Sequence, residues 1–404
     1  MKRRHFLVHA GKTLLALAGS TVGLSQATSR SSRDTDRVTL FLCGDVMTGR
    51  GVDQVLPHAS APRIYEPYVR SAVDYVTFAE RANGPIPKPV DFSYIWGDAL
   101  SELDRVAPNV RLVNLETSIT RSNDHWKGKG IHYRMHPKNV HCLSAAKIDC
   151  CALANNHVLD WGYAGLAETL ETLRRLSLKP VGAGLDASEA LAPAIMEVAG
   201  KGRVIVFAFA SASSGVPRMW AATDGRPGVS FLPDLSGQTV RRIARRVRTI
   251  KRDRDIVIAS IHWGSNWGYQ IPSRQRAFAH GLIDEAGVDV VHGHSSHHPK
   301  GIEVYRRRLI IYGCGDFIND YEGIAGHERY RGDLVLMYFV SVEPVTGELY
   351  SLEMTPLQIR RLRLQHASKE DAEWLGTTLD QAGKQLGTGV KMEADNALTL
   401  HWIA

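Results

Sequence analysis

Val38-Thr39-Leu40-Phe41-Leu42-Cys43-Gly44-Asp45 decides the fold. A short continuous apolar run stopped by Gly-Asp reads as a strand buried on both faces, with a carboxylate at its carboxyl end. The same grammar recurs downstream, at Arg111 to Leu115, Cys150 to Ala154, Val204 to Phe209, Ile256 to Ile261, Val288 to His292 and Leu309 to Tyr312. Helical patterns fall between them, at Gly162 to Leu176, Gly237 to Lys251 and Arg274 to Glu285. Strands separated by helices imply βαβ units and an α/β fold whose sheet is parallel or mixed, with helices outside. Leu334 to Val342 and Leu349 to Pro356, linked through Thr346-Gly347, read as a closing hairpin.

Composition sets the class. Hydrophobic residues are 44% and charged residues 23% of 404, which excludes disordered and fibrous chains, and no uninterrupted apolar run is long enough for a polytopic membrane protein. Residues 1–27 read as an export signal. Lys2-Arg3-Arg4 precedes an apolar run from Leu14 to Leu24, and Leu24-Ser25-Gln26-Ala27 offers small residues before a cut after Ala27. The twin arginine followed by Phe6 and Leu7 resembles a twin-arginine signal. The expected location is therefore the periplasm or cell envelope, with no transmembrane span after signal removal and a retained N-terminal anchor as the alternative. Four of the 49 basic residues lie in that segment, so 45 face 42 acidic ones, a net charge of +3. That balance argues against a nucleic-acid partner. Residues 28–37 read as a polar linker, 38–360 as the domain that carries the chemistry, and 361–404 as a C-terminal extension with one weak helix. Five cysteines, odd in number and without a repeated spacing, do not make a disulfide framework.

Chemistry-bearing residues follow the strands. Asp45 ends the first; Asn114 and Glu116 end the second; Asn155-Asn156-His157 follows the third, with Asp160 one turn on. His262 ends the Ile256 strand, and His292-Gly293-His294-Ser295-Ser296-His297-His298 follows Val288 to Val291. Open α/β sheets place their sites at carboxyl strand ends, so these residues converge on one edge. Mixed oxygen and nitrogen ligands suit Zn, Mn or Fe rather than thiolate metals or a calcium cage. The polar segment Arg121 to His136 reads as a loop over that edge. The helix from Gly237 carries Arg241, Arg242, Arg245, Arg246 and Arg248 opposite a stripe of Val240, Ile243, Val247 and Ile250. Its basic side is either a solvated face or a docking surface for a polyanion or anionic lipid.

Gly44-Asp45-Val46-Met47, Asn114-Leu115-Glu116, Ala154-Asn155-Asn156-His157-Val158-Leu159-Asp160, His262-Trp263-Gly264 and Gly293-His294-Ser295-Ser296-His297 occur in this order. So ordered, they resemble the CapA family of capsule and poly-γ-glutamate synthesis proteins, within the calcineurin-like metallophosphoesterase superfamily. The resemblance implies a four-layer sandwich of two mixed sheets flanked by helices, holding one or two divalent ions. It implies Asp45 and His297 at one metal, Glu116 as the bridging carboxylate, and Asn156, His262 and His294 at the other. His157 is then the proton donor and Asp160 its orienter. Met47 stands where the superfamily usually has a histidine ligand, and His292 or His298 are the candidates to replace it. Arg50, Trp263 and Trp267 are candidate substrate contacts, Trp263 and Trp267 as a wall, though one of the two is expected in the core. Asp316, Asn319 and Asp320 are candidate supports of the metal-binding imidazoles. The function implied is that of an exported metal-dependent hydrolase acting on an anionic capsule polymer or a phosphoester, alongside envelope machinery. The alternatives are a non-catalytic assembly or export factor and a general periplasmic phosphoesterase.

Overall fold

Each apolar run becomes a strand in the computed structural model, which describes residues 36–403. The export signal at 1–27 and nearly all of the linker lie outside the described residues. The strands that build the site are β1 (Val38–Val46), β2 (Val110–Leu115), β3 (Cys150–Ala152), β4 (Gly202–Ser211), β5 (Ile256–His262), β6 (Val290–His294), β7 (Arg308–Ile311), β8 (Asp316–Ile318), β9 (Leu334–Val342) and β10 (Leu349–Ile359). The main helices are α1 (Gly162–Arg175), α2 (Gly237–Ile250) and α3 (Ser273–Asp284).

Two mixed sheets result. The first has ten strands: Thr388–Met392, Leu398–Trp402, β10, β9, β1, β2, β3 and Lys179–Val181 in order, with β8 also on β1 and Leu364–His366 on β10. Its β1–β2–β3 half is parallel and its β1–β9–β10 half antiparallel. The second has seven strands, with β4, β5, β6 and β7 parallel at its centre. Period-two alternation divides β4 between two cores. Val204, Val206, Ala208 and Ala210 join the core shared with the first sheet, while Ile205, Phe207 and Phe209 join the core under α2 and α3. The α2 stripe read from sequence is that contact: Val240, Ile243 and Val247 are buried. Leu166, Leu170 and Leu173 of α1 pack with the first sheet. The fold is thus the sandwich of two mixed sheets with flanking helices.

The C-terminal extension 361–404 adds strands to the first sheet. Leu398–Trp402 pairs with both β10 and Thr388–Met392, and Leu375 and Leu379 of the intervening helix enter the shared core. Its strands are short and half exposed, so no continuous apolar run announces them. All five cysteines are buried and free. No helix among the described residues is long and apolar enough to cross a membrane.

Candidate metal centre

Glycine brings the first carboxylates together. A Cβ on Gly44 would lie 1.7 Å from the Gly315 carbonyl oxygen, so only hydrogen at that position lets the end of β1 press against the Gly313-Cys314-Gly315 turn. The Asp45 N–H donates to Gly315 O at 3.1 Å, and Asp45 and Asp316 become register partners across β1 and β8. In the other sheet, β5 and β6 align His262 with His294. Ser295 (φ 98°) and Arg50 (φ 54°) hold left-handed backbone beside the site, a conformation that side-chain-bearing residues keep only where the surroundings enforce it.

Two ligand groups emerge, and they share Asp45: Asp45, His262 and His294, and Asp45, His297 and Asp316, each with ligand atoms within 4.8 Å of one another. Backbone groups fix the orientation of the polar side chains around them. Asn155 Nδ2 donates to Leu115 O at 2.9 Å while its Oδ1 accepts from His157 N–H at 3.0 Å. The same Nδ2 donates to Asn114 Oδ1, which turns the Asn114 amide nitrogen toward Asp45 Oδ1 at 2.7 Å and His262 Nδ1 at 3.5 Å. His262 Nε2 donates to Asn156 Oδ1 at 2.9 Å, so its Nδ1 carries a lone pair.

A second chain reaches the same pocket. Cys43 O can only accept, so His292 Nε2 donates to it at 2.8 Å. Burial holds His292 down at about 4, and in the neutral ring Nδ1 accepts from the Ser260 hydroxyl at 3.1 Å. The Ser260 oxygen in turn accepts from His294 Nε2 at 2.9 Å, leaving His294 Nδ1 bare. His262 Nδ1 and His294 Nδ1 then face each other at 2.8 Å, two lone pairs that repel unless a cation lies between them. Asp45 Oδ2 is buried beside them without a hydrogen-bond partner. The residues therefore fit a divalent ion by donor type, tautomer and orphaned oxygen.

The electrostatics agree. Burial and the neighbouring Asp316 push Asp45 up to about 7, and burial beside Asp45 raises Glu116 well above the carboxylate range. Burial pushes His262 and His294 well down. Every one of these groups is driven toward its neutral form, as clustered ligands are when no countercharge is present. For His297 burial opposes the charge, but the Asp316 carboxylate, 2.8 Å from Nδ1, outweighs it and raises the imidazole.

His157 lies at the rim. Its Nδ1 is 2.6 Å from Asp160 Oδ2 and its Nε2 3.7 Å from Glu116 Oε1. Asp160 is saturated: Oδ2 also accepts the Tyr133 N–H at 2.6 Å, and Oδ1 accepts from Lys129 Nζ at 2.5 Å. Burial holds His157 down at about 4 against the pull of Asp160, and the Lys129 ammonium 2.9 Å from Nδ1 adds to the effect. Asp160 fixes the Nδ1–H tautomer, so the Nε2 lone pair faces the carboxylates. Lys129 is the residue that sequence reasoning missed. The polar loop 121–136 that carries it is legible as a cover over the site edge, but nothing in its spacing singles out one lysine.

The remaining candidates separate. Asn156 and Glu116 lie in the same pocket as the two groups, Glu116 Oε1 3.9 Å from His262 Nε2. Met47 is buried with its Sδ accepting from Tyr321 O–H. Neither proposed substitute for it reaches Asp45: His292 is committed to Cys43 and Ser260, and His298 accepts from Gly268 N–H. Asp316 occupies that place instead, with Oδ2 held by Asn319. Arg50 is committed to an internal ion-pair cluster. It is buried, its Nε donating to Asp320 at 2.9 Å and Nη1 to Glu66 at 3.0 Å, with its guanidinium 3.6 Å over Tyr75. Trp263 is core, 2% exposed, its indole N–H donating to Tyr312 O at 3.0 Å. Trp267 stays beside the site, 5.3 Å from the His297 ring and stacked on His327 at 3.9 Å.

The family model described as bacterial capsule synthesis protein PGA_cap matches residues 39–321. A probable polyglutamine synthesis accessory protein from Mycobacterium tuberculosis is 50% identical over 364 residues, 90% of this chain and 96% of that protein. The PGA biosynthesis protein CapA of Bacillus subtilis is 26% identical, over 86% of this chain and 78% of its own. A phosphatase structure from Mycoplasma pneumoniae aligns at a TM-score of 0.44 and 12% identity, covering 80% of this chain and 94% of its own.

Proposed function

The chain belongs to the bacterial capsule synthesis protein family PGA_cap, and from that premise we propose that it is an exported metal-dependent hydrolase acting in the synthesis or processing of poly-γ-glutamate or a related anionic envelope polymer. The single observation that carries this reading is the placement of His157, with Asp160 behind it, against the two ligand groups that share Asp45. A purely structural site has no use for an imidazole oriented by a buried carboxylate with its free nitrogen turned inward.

Asp45, His262 and His294 would hold one ion and Asp45, His297 and Asp316 a second, with Glu116 and Asn156 alongside. A divalent ion there supplies Lewis-acid polarisation of a phosphoryl or acyl oxygen and lowers the pKa of water. The chain's own residues do the rest. Asp160 keeps the His157 proton on Nδ1, so Nε2 is the atom that takes a proton arriving at the rim and passes it to a leaving group. Lys129, donating to Asp160 and to Ile131 O at 3.1 Å, pins the loop 121–136 over that pair. Trp267 lines the approach beside His297.

The test combines metal content with turnover. The full chain, reconstituted with Mn²⁺, Zn²⁺ or Fe²⁺, should hold metal by plasma mass spectrometry, and screens with aryl phosphates and γ-glutamyl amides identify the bond. His157→Ala should abolish turnover and leave metal content unchanged. No metal after reconstitution, or full turnover in His157→Ala, overturns the reading. The first outcome leaves the non-catalytic assembly factor, and the second leaves an enzyme whose proton donor is another group.

A further inference from the structure

Away from the metal centre, α2 and the edge of the second sheet enclose a groove of about 520 Å³. Its apolar lining is Leu191, Phe209, Phe231, Leu232, Pro233 and Ile243; its basic rim is Arg242, Arg245 and Arg246. These arginines are exposed, and none of their guanidinium groups has a hydrogen bond or ion pair among the described residues. Elsewhere on the surface the basic side chains are commonly satisfied, as Arg174 is by Glu189 and Arg203 by Asp255. A carboxylate next to the rim, Asp234, is engaged by Ser236 N–H and the Thr239 hydroxyl at the start of α2. Three positive charges within two turns repel one another, and Asp234 acts on Arg242 without forming an ion pair with it.

A second observation points into the groove. Ser230 lines it, is 2% exposed, and its Oγ has no hydrogen-bond partner. A buried hydroxyl left unpaired is unfavourable, and this one belongs to a residue that lines the groove. Unpaired guanidiniums at the rim, an apolar lining and one deep hydroxyl together describe an amphiphile with an anionic head. A fully charged polymer would complement the rim but leave the Leu191, Phe231 and Leu232 surface against carboxylates.

We propose that this groove docks the protein on an anionic phospholipid, the phosphate on Arg242, Arg245 and Arg246 and the acyl end against Phe231 and Leu232. The proposal is independent of the metal centre. Interfacial proteins combine these two elements, a basic patch for the headgroups and an apolar contact for the chains.

The experiment uses the full chain with phosphatidylglycerol vesicles, phosphatidylcholine vesicles and soluble polyglutamate as separate probes. Hydrogen exchange on adding phosphatidylglycerol should slow at residues 228–250, and phosphatidylcholine should leave them unchanged. Arg242→Ala/Arg245→Ala/Arg246→Ala, whose exposed side chains bear no internal structure, should remove that protection and weaken vesicle binding at least tenfold. Phe231→Ser should also weaken it, which charge attraction alone does not predict. No protection at 228–250 with phosphatidylglycerol, or protection retained in the triple variant, overturns the proposal. Protection by polyglutamate equal to that by vesicles also overturns it and makes the groove a polyanion site.

Discussion

Asp45→Asn tests the charge logic of the site. In metal-stripped protein Asp45 is buried with a pKa near 7 against an ordinary 3.8. A carboxyl whose pKa rises on folding binds its proton more tightly in the folded state. Its contribution is therefore intact below pH 4, is lost as pH rises through 7, and stays lost above that. At about 1.4 kcal/mol per unit the loss is about 4 kcal/mol. The amide that replaces the carboxylate carries no charge, so the variant escapes this loss but leaves one buried N–H unpaired, at a cost of about 1 kcal/mol. The net expectation at pH 8 is a variant about 3 kcal/mol more stable than metal-stripped wild type. Unfolding entropy of about 2.1 cal/mol/K per residue makes that roughly 4 °C in Tm for a chain of this length. Melting by circular dichroism from pH 5 to 9 in EDTA should show wild type falling more steeply than the Asp45→Asn variant, in which the buried Glu116 still titrates. Adding Mn²⁺ should then reverse the order, raising wild type and leaving the variant unmoved. Parallel pH profiles in EDTA, or equal stabilisation of both by Mn²⁺, refute the reasoning.

Other perturbations act through different physics. Ser260→Ala breaks the chain that keeps the His294 proton on Nε2 and should weaken metal affinity about ten- to a hundred-fold by competition titration, while the stranded His292 Nδ1 and His294 N–H should also cost about 1–3 kcal/mol in EDTA. Arg50→Ala leaves Asp320 and Glu66 buried without their cation and should cost about 3–5 kcal/mol in chemical denaturation; a cost under about 1 kcal/mol would assign Arg50 to the surface. Gly44→Ala drives a methyl into the Gly315 carbonyl, where neither backbone can yield, and should exceed the usual ~1–3 kcal/mol of overpacking, read as loss of soluble protein or a large fall in Tm. Trp263→Phe strands the Tyr312 carbonyl and should cost about 1–3 kcal/mol while leaving metal content at the wild-type level.

Much of this molecule is legible in its sequence because the signal is local. A strand buried on both faces must be apolar throughout, so β1, β2, β4 and β5 show themselves as runs, and the chain must stop such a run with a polar residue. The placement of Asp45, His262 and His294 at strand ends is then a matter of counting, and the α2 stripe is set by the helical period alone. The short strands after Leu364 escaped because half-exposed edges carry no such run.

What the sequence could not decide is which side chains meet. Asp45 lies beside Asp316 because a carbonyl fits against Gly44, a contact between residues 271 positions apart. Whether Arg50 faces solvent or Asp320, whether Trp263 lines a site or fills a core, and that Lys129 reaches Asp160 are all outcomes of packing between distant segments. The chain by itself determined the elements and the chemical character of each strand end. Only the tertiary structure chose the partners, because hydrogen bonds and buried charges are satisfied in space and not in order along the chain.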